Sequence, residues 1–135
     1  MLSSATMAMS SRANPVYVAD QDAAVRDSIE LLLQTQRHAV RQFDSGQSLL
    51  DTTLIEPPGC IVMDAIMSDM DGPTLLRRIS EHQMPTPVIL LGGNSKIASV
   101  VDAIKAGAWD YFEKPFLQHA LLESVLRALD NSFRK

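Results

Sequence analysis

The sequence predicts an α/β fold in which a five-stranded parallel sheet carries helices on both faces. Three observations lead there. From Pro15 onward, short apolar runs alternate with longer stretches of helical period, the pattern of repeated strand-helix units. Three of the runs are continuously apolar rather than alternating, as strands buried on both faces are. At 135 residues, with 46% hydrophobic and 21% charged side chains, the chain is large enough for one ordinary core without disulfides or a structural metal.

The strands are expected at Val16 to Ala19, His38 to Phe43, Cys60 to Met63, Pro87 to Leu91 and Trp109 to Phe112. Between the first two runs, Val25, Ile29, Leu32 and Leu33 recur at the spacing of one buried helix face. Gly72-Pro73 sets a helix start ahead of Leu75, Leu76 and Ile79. Ile97, Val100, Val101 and Ile104 mark the inward face of the next helix, and Gly107 stands where it should stop. Leu121, Leu122, Val125 and Leu129 line the last helix. Trp109 is read as packing, and His38, His82 and His119, which lack ligand spacing, as surface or boundary residues. Residues 1–14 are expected to form a flexible tail, 15–131 the folded domain and 132–135 a C-terminal tail.

Charge and cysteine usage exclude several classes. A net charge of −4, with Lys and Arg scattered along the chain, gives no attraction to a phosphate backbone, so nucleic-acid binding is not expected. No apolar run is long enough to span a bilayer, and the N-terminal stretch lacks the basic start and apolar core of a signal peptide. A lone Cys60 excludes an internal disulfide and fits a reducing, cytoplasmic location; within an apolar strand it reads as a small buried hydrophobe rather than a redox sensor.

A doubly wound sheet binds its ligand beyond the carboxyl ends of its central strands. The residues there are Asp20-Gln21-Asp22, Asp64, Gly92-Gly93 and Lys114-Pro115. Asp20 and Asp64 offer the hard oxygens that Mg²⁺ takes. Asp64 is also a candidate nucleophile toward phosphorus, with Lys114 as the cation that neutralises the transferring oxygens.

At these residues the chain resembles the receiver domains of two-component response regulators, from Val16 through about Arg127. The resemblance rests on Val-Tyr-Val-Ala-Asp at 16–20, Cys-Ile-Val-Met-Asp at 60–64, Met-Asp-Gly at 70–72, Pro-Val-Ile at 87–89 and Ala-Gly-Ala-Trp-Asp-Tyr-Phe-Glu-Lys-Pro-Phe at 106–116. The wording is similar to receivers of nitrogen-fixation regulators that carry helix-turn-helix output domains. It implies a flavodoxin-like (βα)5 fold and phosphorylation of Asp64 by a sensor histidine kinase. It also implies Mg²⁺ held by Asp20, Asp64 and the backbone carbonyl of Ile66, with the Gln21 amide oxygen as a further candidate. Lys114 and Gly92 would contact the phosphoryl group, Lys114-Pro115 would be a cis peptide, and Tyr111 would be an aromatic switch. The implied partners are the kinase and a downstream protein or output domain outside this chain, reached through the fourth helix, fifth strand and fifth helix, with homodimerisation as a further mode.

Two positions depart from that pattern. Gln21 stands where the family usually has a second acid, and Gly92 where it usually has Thr or Ser. Losing one charge at about 4 Å, at an effective dielectric of 20, removes at most ~4 kcal/mol of attraction before desolvation offsets part of it, so metal affinity should fall. Asp22 or Asp69 is the candidate to replace that charge. Gly92 has only its backbone N–H to offer a phosphoryl oxygen, which should weaken the coupling to Tyr111. The alternative is a degenerate receiver acting as a phosphorylation-independent interaction module. An aspartate-nucleophile phosphohydrolase is disfavoured, since the second acid it needs two residues on is Ile66. The resemblance to receivers also implies that the chain is not an enzyme.

Overall fold

In the computed structural model, which describes residues 14–93 and 97–134, strands and helices alternate strictly. They are β1 (Val16–Ala19), α1 (Ala23–Gln34), β2 (Val40–Phe43), α2 (Gly46–Ile55), β3 (Cys60–Asp64), α3 (Gly72–Glu81), β4 (Val88–Gly92), α4 (Ile97–Lys105), β5 (Asp110–Glu113) and α5 (Gln118–Arg134). All pairings are parallel, in the order β2-β1-β3-β4-β5, which is the flavodoxin-like (βα)5 arrangement.

Strand alternation divides the core in two. Val16, Val18, Cys60, Val62, Ile89 and Leu91 face α1 and α5, where they meet Ile29, Leu33, Leu121, Val125 and Ala128. The intervening residues, among them Tyr17, Ile61, Met63, Val88 and Leu90, face the opposite way onto Leu49, Leu50, Leu75, Leu76, Ile79 and Ala103. Every residue of β1, β3 and β4 except Asp64 is buried, hence their continuous apolar runs.

Helix starts are set by side chains that satisfy otherwise unpaired N–H groups. Asp22 caps α1 by accepting from Ala24 N, Ser45 caps α2 through Ser48 N, and Asp71 caps α3 through Thr74 N, with Pro73 in the first turn. Gly107, at φ +108°, follows α4 in the left-handed region that glycine tolerates.

The Thr74 contacts hold the Asp71 carboxyl below its ordinary 3.8 against a partial opposing effect of burial. Because the folded value is the lower one, this cap should stabilise fully above the unfolded value and fade as pH falls through the folded value. Asp71→Ala is expected to cost about 1 kcal/mol in urea unfolding at pH 7, with the deficit closing below the ordinary carboxylate range.

Several expectations need correction. The β2 strand begins at Val40 rather than His38, and β5 covers Asp110–Glu113, one residue later than the apolar run suggests. The inward face of α4 also differs from the expected one among the described side chains, outside which Ile97 lies. Val101 and Ile104 are exposed and Ala103 is buried, because apolar residues surround this short helix and its small side chain makes the close approach to the sheet. Trp109, expected to pack, remains 37% exposed just before β5. The last helix continues through Arg134, into the stretch expected as a C-terminal tail, since nothing after Leu129 breaks a helix. Residues 1–13 of the expected N-terminal tail lie outside the described residues. No helix among the described residues is long and apolar enough to cross a membrane.

Candidate functional site

The sheet register brings the candidate residues together. Ala19 pairs with Met63, Asp64 with Leu91, and Gly92 with Glu113, so Asp20, Asp64, Gly92 and Lys114 meet at one edge of the sheet. From β1 the chain runs outward to β2 and returns to β3 on the other side, leaving Asp20 and Asp64 flanking the topological switch.

Lys114 joins the two carboxylates. Its Nζ donates to Asp20 Oδ2 at 2.6 Å and to Asp64 Oδ2 at 3.3 Å. Burial pulls the ammonium pKa down, but hydrogen bonds and attraction from Asp20 and Asp64 outweigh it, and the net shift is upward from 10.5. The Lys114-Pro115 peptide is cis.

Each carboxylate has its second oxygen held by backbone. Asp20 Oδ1 accepts from Asp22 N at 2.9 Å, and Asp64 Oδ1 from Ile66 N at 3.1 Å. Arg26 further fixes the Asp20 backbone by donating to its carbonyl at 2.6 Å while bonding Gln42. Asp20 is 2% exposed, whereas the Asp64 side chain keeps 18% of its surface open, so Asp64 is the carboxylate an incoming group can reach.

The residues around this triad serve other contacts. Gln21 Oε1 accepts a hydrogen bond from Ser68 N, so its amide ties the loop after β1 to the loop after β3. Asp69, a candidate to replace the missing charge, is engaged at α2: its two oxygens accept from Gly46 N and Gln47 N, each at 2.9 Å. Those bonds hold its carboxyl below the ordinary 3.8. Asp22 is likewise engaged as the α1 cap. Ile66, 72% exposed, sits at the rim. Among the described residues no cluster of three or more acidic, His or Cys side chains could hold a metal. What remains is a two-carboxylate site whose oxygens already converge on one cation, a donor set that fits Mg²⁺ with waters completing its shell.

Cys60 plays no part here. It is fully buried, and burial pushes its thiol up to about 12, far from the thiolate that redox chemistry requires.

Sequence reasoning linked Gly92 to Tyr111 only through a missing hydroxyl and missed that the phenol fills the space beside the glycine. A Cβ built on Gly92 would lie 1.8 Å from Tyr111 Oη and 2.6 Å from its Cζ, so the phenol occupies the volume a side chain at 92 would fill. Leu90 and Gly92 share a face of β4, and Tyr111 pairs with Leu90, so the ring extends along the sheet to the glycine. Alternation would have placed them together had the register been known.

A sequence profile described as the response regulator receiver domain matches residues 16–126. The chain is 39% identical over 115 residues to the transcriptional regulatory protein FixJ of Bradyrhizobium diazoefficiens, an alignment covering 83% of this chain and 56% of that regulator. It thus spans about half the length of that curated relative. Among solved structures, FixJ-N is similar with a TM-score of 0.78 at 32% identity, over 86% of this chain and 93% of that one. The signal receiver domain of a putative Luxo repressor protein from Vibrio parahaemolyticus shares the fold, with a TM-score of 0.85 at 22% identity, over 89% of this chain and 92% of that one.

Proposed function

Because the chain belongs to the response-regulator receiver family, the signalling modules of two-component systems, we propose that Asp64 is its phosphoacceptor and Lys114 the cation that steadies the transferred group. The observation that carries this reading is the convergence of Asp20 and Asp64 on the Lys114 ammonium at the switch point of the sheet. An Asp64 oxygen attacks phosphorus in line. As the new oxygen-phosphorus bond forms, the phosphorus-nitrogen bond of a kinase phosphohistidine breaks, and the bond's electron pair leaves with the imidazole. Lys114 follows the charge from carboxylate to phosphoryl oxygen, and Asp20, buried and backbone-held, keeps the ammonium aimed. Mg²⁺, when bound, supplies further charge neutralisation; Asp20, Asp64 and the Ile66 carbonyl would hold it.

The partners of this reading are a sensor histidine kinase and a downstream protein or output domain, in the cytoplasm, with homodimerisation as a further mode. The chain acts as a relay and not as an enzyme. A second reading, a phosphorylation-independent binding module, is favoured by one observation: Tyr111 already fills the space beside Gly92 without a phosphoryl group.

Intact mass after incubation with acetyl phosphate separates the two. The expected result is a Mg²⁺-dependent gain of one phosphoryl group that Asp64→Asn abolishes; no gain, with a histidine kinase as donor as well, leaves the binding module. Since Asp69 is committed to α2, Asp69→Asn is expected to leave Mg²⁺ affinity within about twofold of the parent in calorimetric titration, while Asp20→Asn weakens it by at least tenfold.

A further inference from the structure

We infer that the Tyr111 phenol is the hydroxyl that contacts the phosphoryl group on Asp64, in the place left by the absent side chain of Gly92. The inference rests on Asp64 being the acceptor.

Its geometry is specific. Residue 92 lies between the two working strands: the preceding Leu91 pairs with Asp64, and the Gly92 carbonyl accepts from the Lys114 backbone N. A side chain starting there would leave the strand end that lies between Asp64 and Lys114 in the sheet. The Tyr111 hydroxyl occupies that starting point, with Cζ and Cε1 at 2.6 and 3.3 Å from it, so the ring reaches the sheet edge with its oxygen foremost.

The backbone that carries the ring is also held. Asp110 Oδ1 accepts from Tyr111 N at 2.8 Å, and its Oδ2 accepts from the buried Ser124 Oγ at 2.7 Å, so α5 fixes the backbone that carries the phenol.

The chemistry of the site calls for such a donor. A phosphoryl group presents three anionic oxygens to its surroundings. Lys114 serves one and a divalent cation another, while Gln21 Oε1 is an acceptor already bonded to Ser68. A phenol O–H is a neutral donor that satisfies the remaining oxygen without adding charge. Gly92 is what admits it, since any larger residue would displace the ring.

The test measures the initial rate of phosphoryl uptake from acetyl phosphate with Mg²⁺, by intact mass, for the parent, Tyr111→Phe, the double variant Gly92→Ser/Tyr111→Ala, and Asp64→Asn. Thermal melts confirm that each is folded. Loss of a hydrogen bond to a charged group should slow Tyr111→Phe about tenfold or more. The double variant, which restores a hydroxyl at position 92 and removes the ring that would obstruct it, should recover most of that loss. An unchanged rate in Tyr111→Phe, or no recovery in the double variant, overturns the assignment while Asp64 stands as acceptor. No uptake by the parent removes Asp64 as acceptor and the phenol's role with it.

Discussion

Lys114→Met is expected to abolish detectable phosphoryl uptake and to lower stability at neutral pH by about 2–3 kcal/mol in urea unfolding. The stability effect follows from what is left behind. Asp20 is 2% exposed and bonds the ammonium at 2.6 Å; methionine keeps the stem but leaves that carboxylate facing Asp64 without a cation. Removing one partner of a fully buried pair costs about 3–5 kcal/mol, and this site falls below that range because water still reaches part of it. Lys114 and Asp64 retain 27% and 18% of their side-chain surface.

The pH dependence has a definite sign. Lys114 titrates above its ordinary 10.5 in the folded protein, so its contribution is fully present below 10.5 and disappears as pH rises through the folded value. The gap between parent and Lys114→Met should therefore persist from neutral pH to about 10 and narrow above it. A gap that is flat into strong alkali would mean that Lys114 contributes through packing alone. Lys114→Arg tests geometry instead: it keeps the charge but replaces a compact ammonium with a planar fork that cannot meet both carboxylates in the same way. It should recover stability more than phosphoryl uptake.

Much of this site was legible without coordinates, for a physical reason. In a parallel sheet the strand ends gather at one edge, so Asp20, Asp64 and Lys114, each following an apolar run, had to converge once the runs were recognised as strands. The strands were readable because β1, β3 and β4 are buried on both faces, and Ile29, Leu33, Leu121 and Val125 because α1 and α5 each bury one stripe. What could not be read depended on long-range register or competing apolar faces. In α4, Val101 and Ile104 are as hydrophobic as a core stripe requires, yet small Ala103 faces the sheet. Asp69 looked available to a metal because it lies five residues after Asp64; only the packing of α2 reveals that Gly46 and Gln47 claim it. Gly92 read as a missing hydroxyl, whereas the fold shows a filled space.

That filled space makes Gly92→Thr the most disruptive single substitution expected at the sheet edge outside the charged triad. A threonine Cβ would lie 1.8 Å from Tyr111 Oη, well inside van der Waals contact, and the obstruction is the end of a rigid ring whose backbone Asp110 holds. Backbone strain is not the cause, because Gly107 is the glycine with a positive φ and residue 92 has strand geometry any residue can adopt. Either Tyr111 turns out into solvent or β4 shifts, and overpacking of this kind costs about 1–3 kcal/mol. Tyrosine nitration distinguishes the two responses. The chain has two tyrosines, and Tyr17 is fully buried, so tetranitromethane reports on Tyr111. Faster nitration with a modest fall in Tm means that the ring has been expelled; unchanged nitration with a large fall means that the strand has yielded. If Tyr111 is the obstacle, Gly92→Thr/Tyr111→Ala should be more stable than the sum of the two single changes allows, a coupling of about 1–2 kcal/mol in a double-mutant cycle. Strict additivity, with neither Tm nor nitration altered in Gly92→Thr, would show that the phenol does not occupy the side-chain volume of position 92.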